Sequence, residues 1–581
     1  MKKGIFAIIA AILCMGFAAC SSEEAPVITT DEQGTTIAIP FDGKSTTYKF
    51  SINESWTIEN VDSALSVSPM HGNSGNVSLT IKARETNVTN EMVTHNFTIV
   101  SKNGKGEAKR TIKCNQDPVF TLEKTRYEVD GKGASIKVVF TTPLSAEQLE
   151  KFSVRMDNNF SEMWDRGEED EAKHAASLAR MATTRAGDSK WEATFKIKEN
   201  PEKEARTGIF FLMAGVLEDE FYSDFISVTQ LPKEIEESED YKNDGKVFNL
   251  LTHTKGEAGI PIVIMGDGFL DKDIEDGTYK DAMQTACDNL FSYEPMKSLK
   301  PLFDVYYVTA VSQNNIFSEK TKTAFSCEFG EGTKISGSNE KVEKYAKKPF
   351  TEQLAVDKDY MDNSLVIVVL NDKRWAGTCY YSVYPKKGIV QNSSAIAYCP
   401  MTDESKHNGY GFAHLLQHEA VGHGFGKLAD EYAYKENGEI PEDEKKELEE
   451  FQEYGVYQNV STSNDITKTY WAEFASDPRY NNEKLNVHLG GFTYIKGVYR
   501  PTEKSIMSDD MDAFNCYSRS MIYKRAMYIT QGSAWQFNYE EFVNFDAPGR
   551  DEFEAKKATT RAASDVIRLP LPKPVITIIQ K

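Results

Sequence analysis

The sequence predicts a multidomain protein in which two N-terminal β-sandwiches precede an α/β domain. The chain has 581 residues, enough for roughly three or four domains of about 150 residues each. Short alternating strands such as "TTYKFSI" and "VSLTIKA" recur up to about residue 232 with turn residues between them, a spacing typical of β-sandwiches. From about residue 246, apolar strands such as "IPIVIMGDGF" and "SLVIVVLND" alternate with helical patterns, which favours an α/β domain.

Residues 1–20 have the pattern of an export signal. Lys2 and Lys3 precede an apolar run and small residues before Cys20, as in a secretory signal peptide. The segment "GFAAC" resembles a bacterial lipobox, in which the cysteine is lipidated, and "SSEE" resembles the surface-export tag of Bacteroidetes lipoproteins. We therefore expect lipidation at Cys20 and a surface-exposed lipoprotein of the bacterial outer membrane, attached through its lipid anchor. A plain signal peptide with an incidental cysteine is the alternative.

The net charge argues against nucleic acid as a partner, and the cysteine spacing argues against a cysteine-based zinc site. The formal net charge is −21, which disfavours nucleic acid as a partner because phosphate binding needs a basic surface. The cysteines beyond Cys20 form no CxxC pair, which disfavours a cysteine-based zinc knuckle.

The N-terminal part of the mature chain is predicted to hold both sandwiches. In residues 21–116, Trp56, the "VSPMHGNSG" turn and the closing strand that ends at Gln116 resemble the BACON domain, a β-sandwich module named for supposed carbohydrate binding. That resemblance implies either glycan binding or a spacer that holds the rest of the chain off the membrane. We expect the second sandwich at 117–233, an acidic linker at 234–247 and the α/β domain at 248–581.

The stretch "QHEAVGHGFGKLADEY", residues 417–432, carries a candidate metal site with unusual spacing. The zinc-hydrolase pattern His-Glu-x-x-His has its histidines four apart, whereas His418 and His423 are five apart. On a regular α-helix, residues four apart differ by about 40° in direction and residues five apart by about 140°. A π-bulge restores the common facing, and Gly422 would ease it. We therefore predict a π-bulge here; the dipeptidyl peptidase III family uses a similar His-Glu-x-x-x-His arrangement.

We expect the residues that follow His423 to supply the third ligand of a zinc site. Zinc binds neutral imidazoles and carboxylates, and catalytic sites keep one position open for water. His418 and His423 are therefore candidate ligands. Two glycines past His423 can end the helix and return the chain, which brings Asp430 to the metal as the third ligand, with Glu431 as second choice.

Glu419 directly follows the first histidine and is the candidate general base. In zinc peptidases this position takes a proton from the metal-activated water. In an alternative register Glu419 and His423 would be the ligands, which leaves Ala420 at the position of the base and no hydrolysis. A helix that carries histidines as ordinary polar residues is the further alternative.

Several segments in order resemble the IgA-specific metalloendopeptidase family, a family of zincin-like peptidases. "HGFGKLADEY" resembles that family's signature, in which His-Glu-x-Gly-His is followed by Leu-Ala-Asp-Glu-Tyr. "IVIMGDGF", "FDVYYVTAVSQ", "SLVIVVLNDKRWAG" and "SIMSDDMDAFNCYSRSMIYKRAM" resemble further pieces, so the likeness spans about 250 to 530. It implies an α/β zincin-like metallopeptidase domain that uses zinc and acts on proteins or peptides. The extra residue between the histidines departs from the family pattern.

Further residues are candidates for supporting roles. Met507 in "SIM" could form an apolar floor beneath the metal, as in metzincin-type enzymes, or be an ordinary core methionine. Asp267 follows an apolar strand, where clefts form in open α/β sheets, or is a turn residue. Tyr432, Tyr517 and Arg519 are candidates to bind the tetrahedral oxyanion or a substrate carboxylate.

Together these patterns predict a zinc-dependent endopeptidase with Glu419 as general base. The alternative is a surface glycan- or protein-binding lipoprotein with a degenerate peptidase domain. A zinc amidase acting on cell-wall or glycan amides would share the same chemistry.

Overall fold

The structure is a computed structural model that divides into two compact units, Met1–Val119 and Phe120–Lys581. It describes residues 24–30, 34–87, 90–150, 152–166, 177–180, 190–216, 219–318, 320–330, 332–357, 360–388, 390–391, 393–407, 409–434, 437–558 and 569–579. The predicted signal peptide and Cys20 lie outside these residues. Within them, no helix is long and apolar enough to cross a bilayer.

The first unit consists of two β-sheets around one core. Its described strands are β1 (Ile28–Thr30), β2 (Thr36–Ile39), β3 (Thr46–Ile52), β4 (Trp56–Glu59), β5 (Leu65–Ser68), β6 (His71–Gly72), β7 (Gly75–Ala83), β8 (Val93–Asn103) and β9 (Gly106–Gln116). One sheet has the order β1-β3-β7-β5 and the other β2-β9-β8-β4-β6. Buried and exposed residues alternate along β3 because successive side chains point to opposite faces. Trp56 is buried against Phe50, with ring centroids 5.3 Å apart, so its ring belongs to the core.

The second unit begins with another pair of sheets. Its first described elements are β10 (Thr121–Leu122), β11 (Arg126–Val129), β12 (Ala134–Thr141), α1 (Ala146–Leu149), β13 (Ser153–Met156), α2 (Asn158–Met163), β14 (Ser177–Arg180), β15 (Lys190–Ile197), β16 (Arg206–Val216), β17 (Asp219–Tyr222) and β18 (Ile226–Gln230). The sheets have the orders β10-β12-β15-β14 and β11-β18-β16-β13, with β17 paired to β16. Phe160 of α2 contacts Phe195 of β15 and Phe210 of β16, and so joins the two sheets.

The remainder of the second unit is an α/β region. Its described strands are β19 (Val247–Leu251), β20 (Ile260–Asp267), β21 (Phe303–Val308), β22 (Glu328–Phe329), β23 (Ile335–Ser336), β24 (Leu365–Leu370), β25 (Thr378–Val383), β26 (Ala395–Pro400), β27 (His488–Gly491), β28 (Tyr494–Arg500) and β29 (Val575–Ile578). Its α-helices are α3 (Asp271–Glu275), α4 (Thr278–Leu290), α5 (Met296–Leu299), α6 (Asn339–Ala346), α7 (Thr351–Val356), α8 (Phe412–Leu416), α9 (Glu442–Glu453), α10 (Ala472–Ser476), α11 (Cys516–Gln531), α12 (Tyr539–Phe545) and α13 (Ala547–Ala558). Short 3₁₀ segments lie at Lys300–Leu302, Lys348–Phe350, Tyr360–Asn363, Glu404–Lys406, Ile466–Lys468, Pro478–Glu483 and Ile506–Ser508, and a π-helix spans Gln417–Phe425.

A seven-stranded sheet, in the order β19-β21-β20-β24-β26-β25-β29, organises this region. β21, β20, β24 and β26 run parallel, while β25 is antiparallel to β26. The central strands are apolar throughout because both faces are covered: alternate side chains of β20 enter two separate hydrophobic clusters. A β-rich N-terminal region followed by an α/β region confirms the predicted order of fold classes. The six cysteines from Cys114 to Cys516 are buried and free of disulfides.

Candidate metal centre

The chain leaves β26 and enters α8, which continues directly into the π-helix Gln417–Phe425. The backbone N–H of Gly426 donates to the carbonyl of Val421 over 2.7 Å, the five-residue step of a π-helix. The predicted π-bulge between the histidines is therefore confirmed, although it is longer than a single wide turn. A side chain at Gly422 would place its Cβ 2.4 Å from Met507 Sδ, so any larger residue here would force the buried Met507 side chain to move.

The π-helix turns His418 and His423 toward one point, where they meet Asp430. The two Nε2 atoms are 3.1 Å apart, and each lies 3.2 Å from Oδ1 of Asp430. Ligands at about 2.0–2.1 Å in a tetrahedron are about 3.3 Å from one another. The three atoms therefore fit three corners of a tetrahedral zinc site, with the fourth corner left for a water or substrate oxygen. Among the histidine, cysteine and acidic side chains of the described residues, His418, His423 and Asp430 form the group whose ligand atoms lie close enough together to hold one metal ion.

Backbone carbonyls orient both imidazoles. Nδ1 of His418 lies 3.0 Å from the carbonyl of Ile506, and Nδ1 of His423 lies 2.8 Å from that of Leu428. A carbonyl only accepts, so each Nδ1 carries a proton and each ring directs its Nε2 atom at the centre, where a cation would bind it. Such a bond on the second nitrogen is the usual support for a metal-binding histidine.

The acidic pair divides into two different environments. Burial opposes charge on Asp430, but His423 and His418 outweigh it and hold the pKa of its carboxyl below the usual range. Conversely, burial and the charge of Asp430 act in opposite directions on His423, and its pKa rises to about 9. Glu431 points away from the centre, and its carboxylate accepts hydrogen bonds from Ser505, Asn459 and Asn515 at 2.6–3.0 Å. The structure thus places Asp430, and not Glu431, with the two histidines.

Glu419 is buried beside the centre without a hydrogen-bond partner for either carboxylate oxygen among the described residues. Burial raises the pKa of its carboxyl to about 8, with His423 opposing and Asp430 adding to the shift. Its carboxylate packs against Gly377, just before β25, where an added Cβ would lie 2.7 Å from Oε1. A buried carboxyl with this pKa and free oxygens suits proton transfer near neutral pH.

The residues predicted to have supporting roles differ in how close they lie to the centre. Met507 lies under Gly422, and the preceding carbonyl, of Ile506, holds His418, so the "SIM" turn supports the centre directly. The Tyr432 ring stacks on His418 at 6.1 Å between centroids. Asp267 is buried away from the centre and accepts hydrogen bonds from the backbone of Phe325, which is a structural role.

Two other candidates do not reach the centre. Arg519 is buried in ion pairs with Glu483 and Asp546 at 2.6–2.7 Å, so its guanidinium is not available to a substrate. The Tyr517 hydroxyl donates to Gln458 over 3.2 Å. Neither has the position that substrate binding would need.

Sequence patterns also missed residues that shape the site. His414 on α8 is buried, with Asp512 2.8 Å from Nδ1 and Asp509 2.7 Å from Nε2. Burial lowers the pKa of His414, but the two aspartates prevail and raise it. This pair of contacts ties α8 to the loop that follows Met507. The supporting carbonyls of Leu428 and Ile506 have no sequence signal because every residue has one.

A cavity of about 690 Å³ lies between the second pair of sheets and the α/β region. Its lining includes Tyr127 from β11 on one side and Phe329, Trp375 and Leu569 on the other. Trp375 is two residues before Gly377, against which Glu419 packs. The second pair of sheets therefore borders a cavity whose opposite side includes Trp375, close in sequence to the glycine that contacts the candidate base.

The α/β sheet and the buried histidine, glutamate and aspartate group define a metallopeptidase-like domain. Residues 248–481 match the family model described as IgA Peptidase M64. The resemblance drawn from the sequence is thereby confirmed.

Other comparisons add little. No curated protein matches the chain. A chimeric titin Z1Z2 structure carrying a decorin peptide is 11% identical, with 36% of this chain and 97% of that chain covered and a TM-score of 0.14. A Bacteroides ovatus GH5 xyloglucanase in complex with a heptasaccharide is 20% identical, with 24% and 29% covered and a TM-score of 0.14. A Porphyromonas gingivalis W83 protein of unknown function is 8% identical, with 35% and 99% covered and a TM-score of 0.14. At these TM-scores the similarities carry no argument.

Proposed function

We propose that this protein is a zinc-dependent endopeptidase with Glu419 as its general base. The main support is that Nε2 of His418, Nε2 of His423 and Oδ1 of Asp430 lie within 3.2 Å of one another. These three side chains are buried, and their nitrogen and oxygen atoms are the kinds of ligand that zinc prefers. Each imidazole is oriented for zinc by a backbone carbonyl, and the match to a peptidase family supplies the class of reaction.

A zinc ion held by His418, His423 and Asp430 would supply Lewis acidity, which lowers the pKa of a bound water to about 7 and polarises a peptide carbonyl. Glu419 accepts the proton of the attacking water and returns it to the leaving amine. Its buried carboxylate has no competing hydrogen-bond donor among the described residues, so it is free for that exchange. The Tyr432 ring stacks on His418, and its hydroxyl, which donates to the Leu571 carbonyl in this structure, becomes a candidate donor to the developing oxyanion once that bond is released.

The same proposal includes the setting inferred from the N-terminal sequence. Lipidation at Cys20 would place the enzyme on the bacterial outer membrane, and its substrates would be extracellular proteins or peptides. A glycan-binding role for the first unit has weaker support, because Trp56 lies in the core and cannot act as a sugar platform.

The test compares the wild-type protein with Glu419→Gln, with Glu503→Gln as an exposed control. We expect stoichiometric zinc in all three proteins by elemental analysis. Cleavage of a broad peptide library should fall by about 10²–10⁴-fold in Glu419→Gln alone, as expected for the loss of a general base. If the zinc-loaded wild type cleaves nothing and Glu419→Gln is indistinguishable from it, the degenerate-domain alternative replaces this proposal.

A further inference from the structure

The candidate catalytic group is closed to solvent in this structure. His418, Glu419 and His423 are 0% exposed and Asp430 is 1% exposed. An endopeptidase has to bring a peptide main chain to such a group, so a part of this chain must occupy or cover the route to it.

The segment Leu569–Leu571 is bound by side chains close to this group. Three consecutive backbone carbonyls of this segment accept hydrogen bonds from side chains that border the site. These bonds are Trp375 Nε1 to Leu569 O (3.0 Å), Thr333 Oγ1 to Pro570 O (2.5 Å), and Tyr432 OH (2.6 Å) and Tyr434 OH (2.5 Å) to Leu571 O. Leu571 is itself 0% exposed.

These four donors flank the candidate catalytic residues. Tyr432 stacks on His418, and Trp375 is two residues before Gly377, against which Glu419 packs. On this segment the four donors bind only backbone carbonyls, which every peptide has. The same row of donors would therefore hold an extended peptide of another protein.

The following residues continue along the sheet edge. β29 pairs in parallel with β25, in the register Tyr380 with Val575 through Val383 with Ile578. Adding a strand to an open sheet edge is a recurring mode of peptide binding. Pro570, Pro572 and Pro574 have no N–H to give to a strand ladder, which explains why side-chain donors, and not strand pairing, hold the segment beside the site.

We propose that Trp375, Thr333, Tyr432 and Tyr434 form a groove for the substrate main chain, and that Leu569–Ile578, the latch, fills this groove. This inference rests on the proposed function, and it adds that a segment of the enzyme itself competes with the substrate for the groove. Extended peptides and the latch exclude one another from the groove, so the enzyme is held in check by its own C-terminal segment until the latch is displaced.

Lys573 gives a way to loosen the latch without altering the candidate catalytic group. Its Nζ lies 3.0 Å from Glu444 Oε2, and it sits over the rings of Phe492 and Tyr494. Lys573→Glu sets a like charge against Glu444. The double variant Glu444→Lys with Lys573→Glu restores the attraction and is the matched control.

In the full-length, zinc-loaded protein, we expect Lys573→Glu to speed hydrogen exchange in residues 575–578 and to raise kcat/KM for a library peptide. Loss of a partly exposed ion pair and its reversal to repulsion predict roughly three- to tenfold. The charge-swapped variant should move both values back toward those of the wild type, although its glutamate at position 573 lacks the contacts of Lys573 with the rings of Phe492 and Tyr494. Faster exchange with an unchanged kcat/KM would overturn the proposal, because the latch would then be absent from the substrate's path.

A binding measurement separates this proposal from the catalytic one. A fluorescent synthetic peptide with the sequence of residues 569–581 should bind Lys573→Glu, in a Glu419→Gln background, more tightly than the same background without the latch change. It should also inhibit cleavage competitively. Equal binding to both proteins would overturn the latch. If the peptide binds as expected but no variant cleaves any peptide, the groove stands and the endopeptidase function falls.

Discussion

Gly422→Ala is the sharpest test of how the two histidines are held five residues apart. The new methyl carbon would lie 2.4 Å from Met507 Sδ and 3.0 Å from its Cε, whereas non-bonded heavy atoms prefer about 3.5–4.0 Å. Met507 is 0% exposed, so its side chain has little room to retreat. Overpacking of this kind costs about 1–3 kcal/mol. Alanine recovers about 0.5–1 kcal/mol over glycine inside a helix, so we expect a net loss of up to about 2.5 kcal/mol.

Urea unfolding in the presence of a chelator measures this loss without the contribution of metal binding. The same substitution is then made in a Met507→Ala background, where the sulfur is gone. There the alanine at position 422 fills part of the cavity, so its effect should vanish or become stabilising. An equal loss in both backgrounds would refute the contact as the reason for glycine. In the Met507-containing protein, zinc affinity should also fall by about 10–100-fold, because the neighbouring Ile506 carbonyl orients His418.

Three further predictions concern the surroundings of the centre. Asp430→Asn should lower zinc affinity in a chelator competition, whereas Glu431→Gln should retain zinc but lose about 1–3 kcal/mol of stability in urea, since its amide would face other donors; loss of zinc in Glu431→Gln alone would reverse the ligand assignment. His414 has a raised pKa, so its contribution to stability is full below its ordinary pKa near 6.5 and declines as pH rises through the folded value. His414→Gln should remove this decline from unfolding curves measured from pH 5 to 9, and an unchanged pH profile would contradict it. Arg519→Met leaves two buried carboxylates unpaired and should cost about 3–5 kcal/mol in urea unfolding, whereas Arg479→Met, at an exposed ion pair, should cost far less; equal losses would contradict the role of burial.

Local patterns predicted the parts of this molecule that depend on local physics. Fully apolar strands such as Leu365–Leu370 indicated a sheet covered on both faces, which the α/β region confirms. The histidine spacing required a π-bulge because no regular helix lets His418 and His423 face one point, and the π-helix confirms it. The choice between Asp430 and Glu431 stayed open from sequence, because it depends on Asn459 and Asn515, which lie 28 and 84 residues beyond Glu431.

The missed features share a cause: they join segments that are distant in the chain. Arg519 seemed available to a substrate because its partners, Glu483 and Asp546, have no recognisable spacing from it. The latch was missed for the same reason, since Leu571 meets Tyr432 across 139 residues. A backbone carbonyl that accepts a hydrogen bond leaves no trace in the residue types.

Because the histidines are five residues apart, the domain needs residues beyond 481, where the family match ends, to hold the candidate metal centre in place. In an α-helix, two histidines four residues apart point in nearly the same direction because of the helix geometry alone. A π-helix is rare and is mostly limited to a single turn, so a longer one is expected to depend on contacts with other segments. Here that support comes from Ile506, which holds His418, from Met507, which fills the space beneath Gly422, and from Asn515, which holds Glu431 away from the centre. All three follow the matched segment, so a chain ending at residue 481 would keep His418, Glu419, His423 and Asp430 but lose the contacts that aim them.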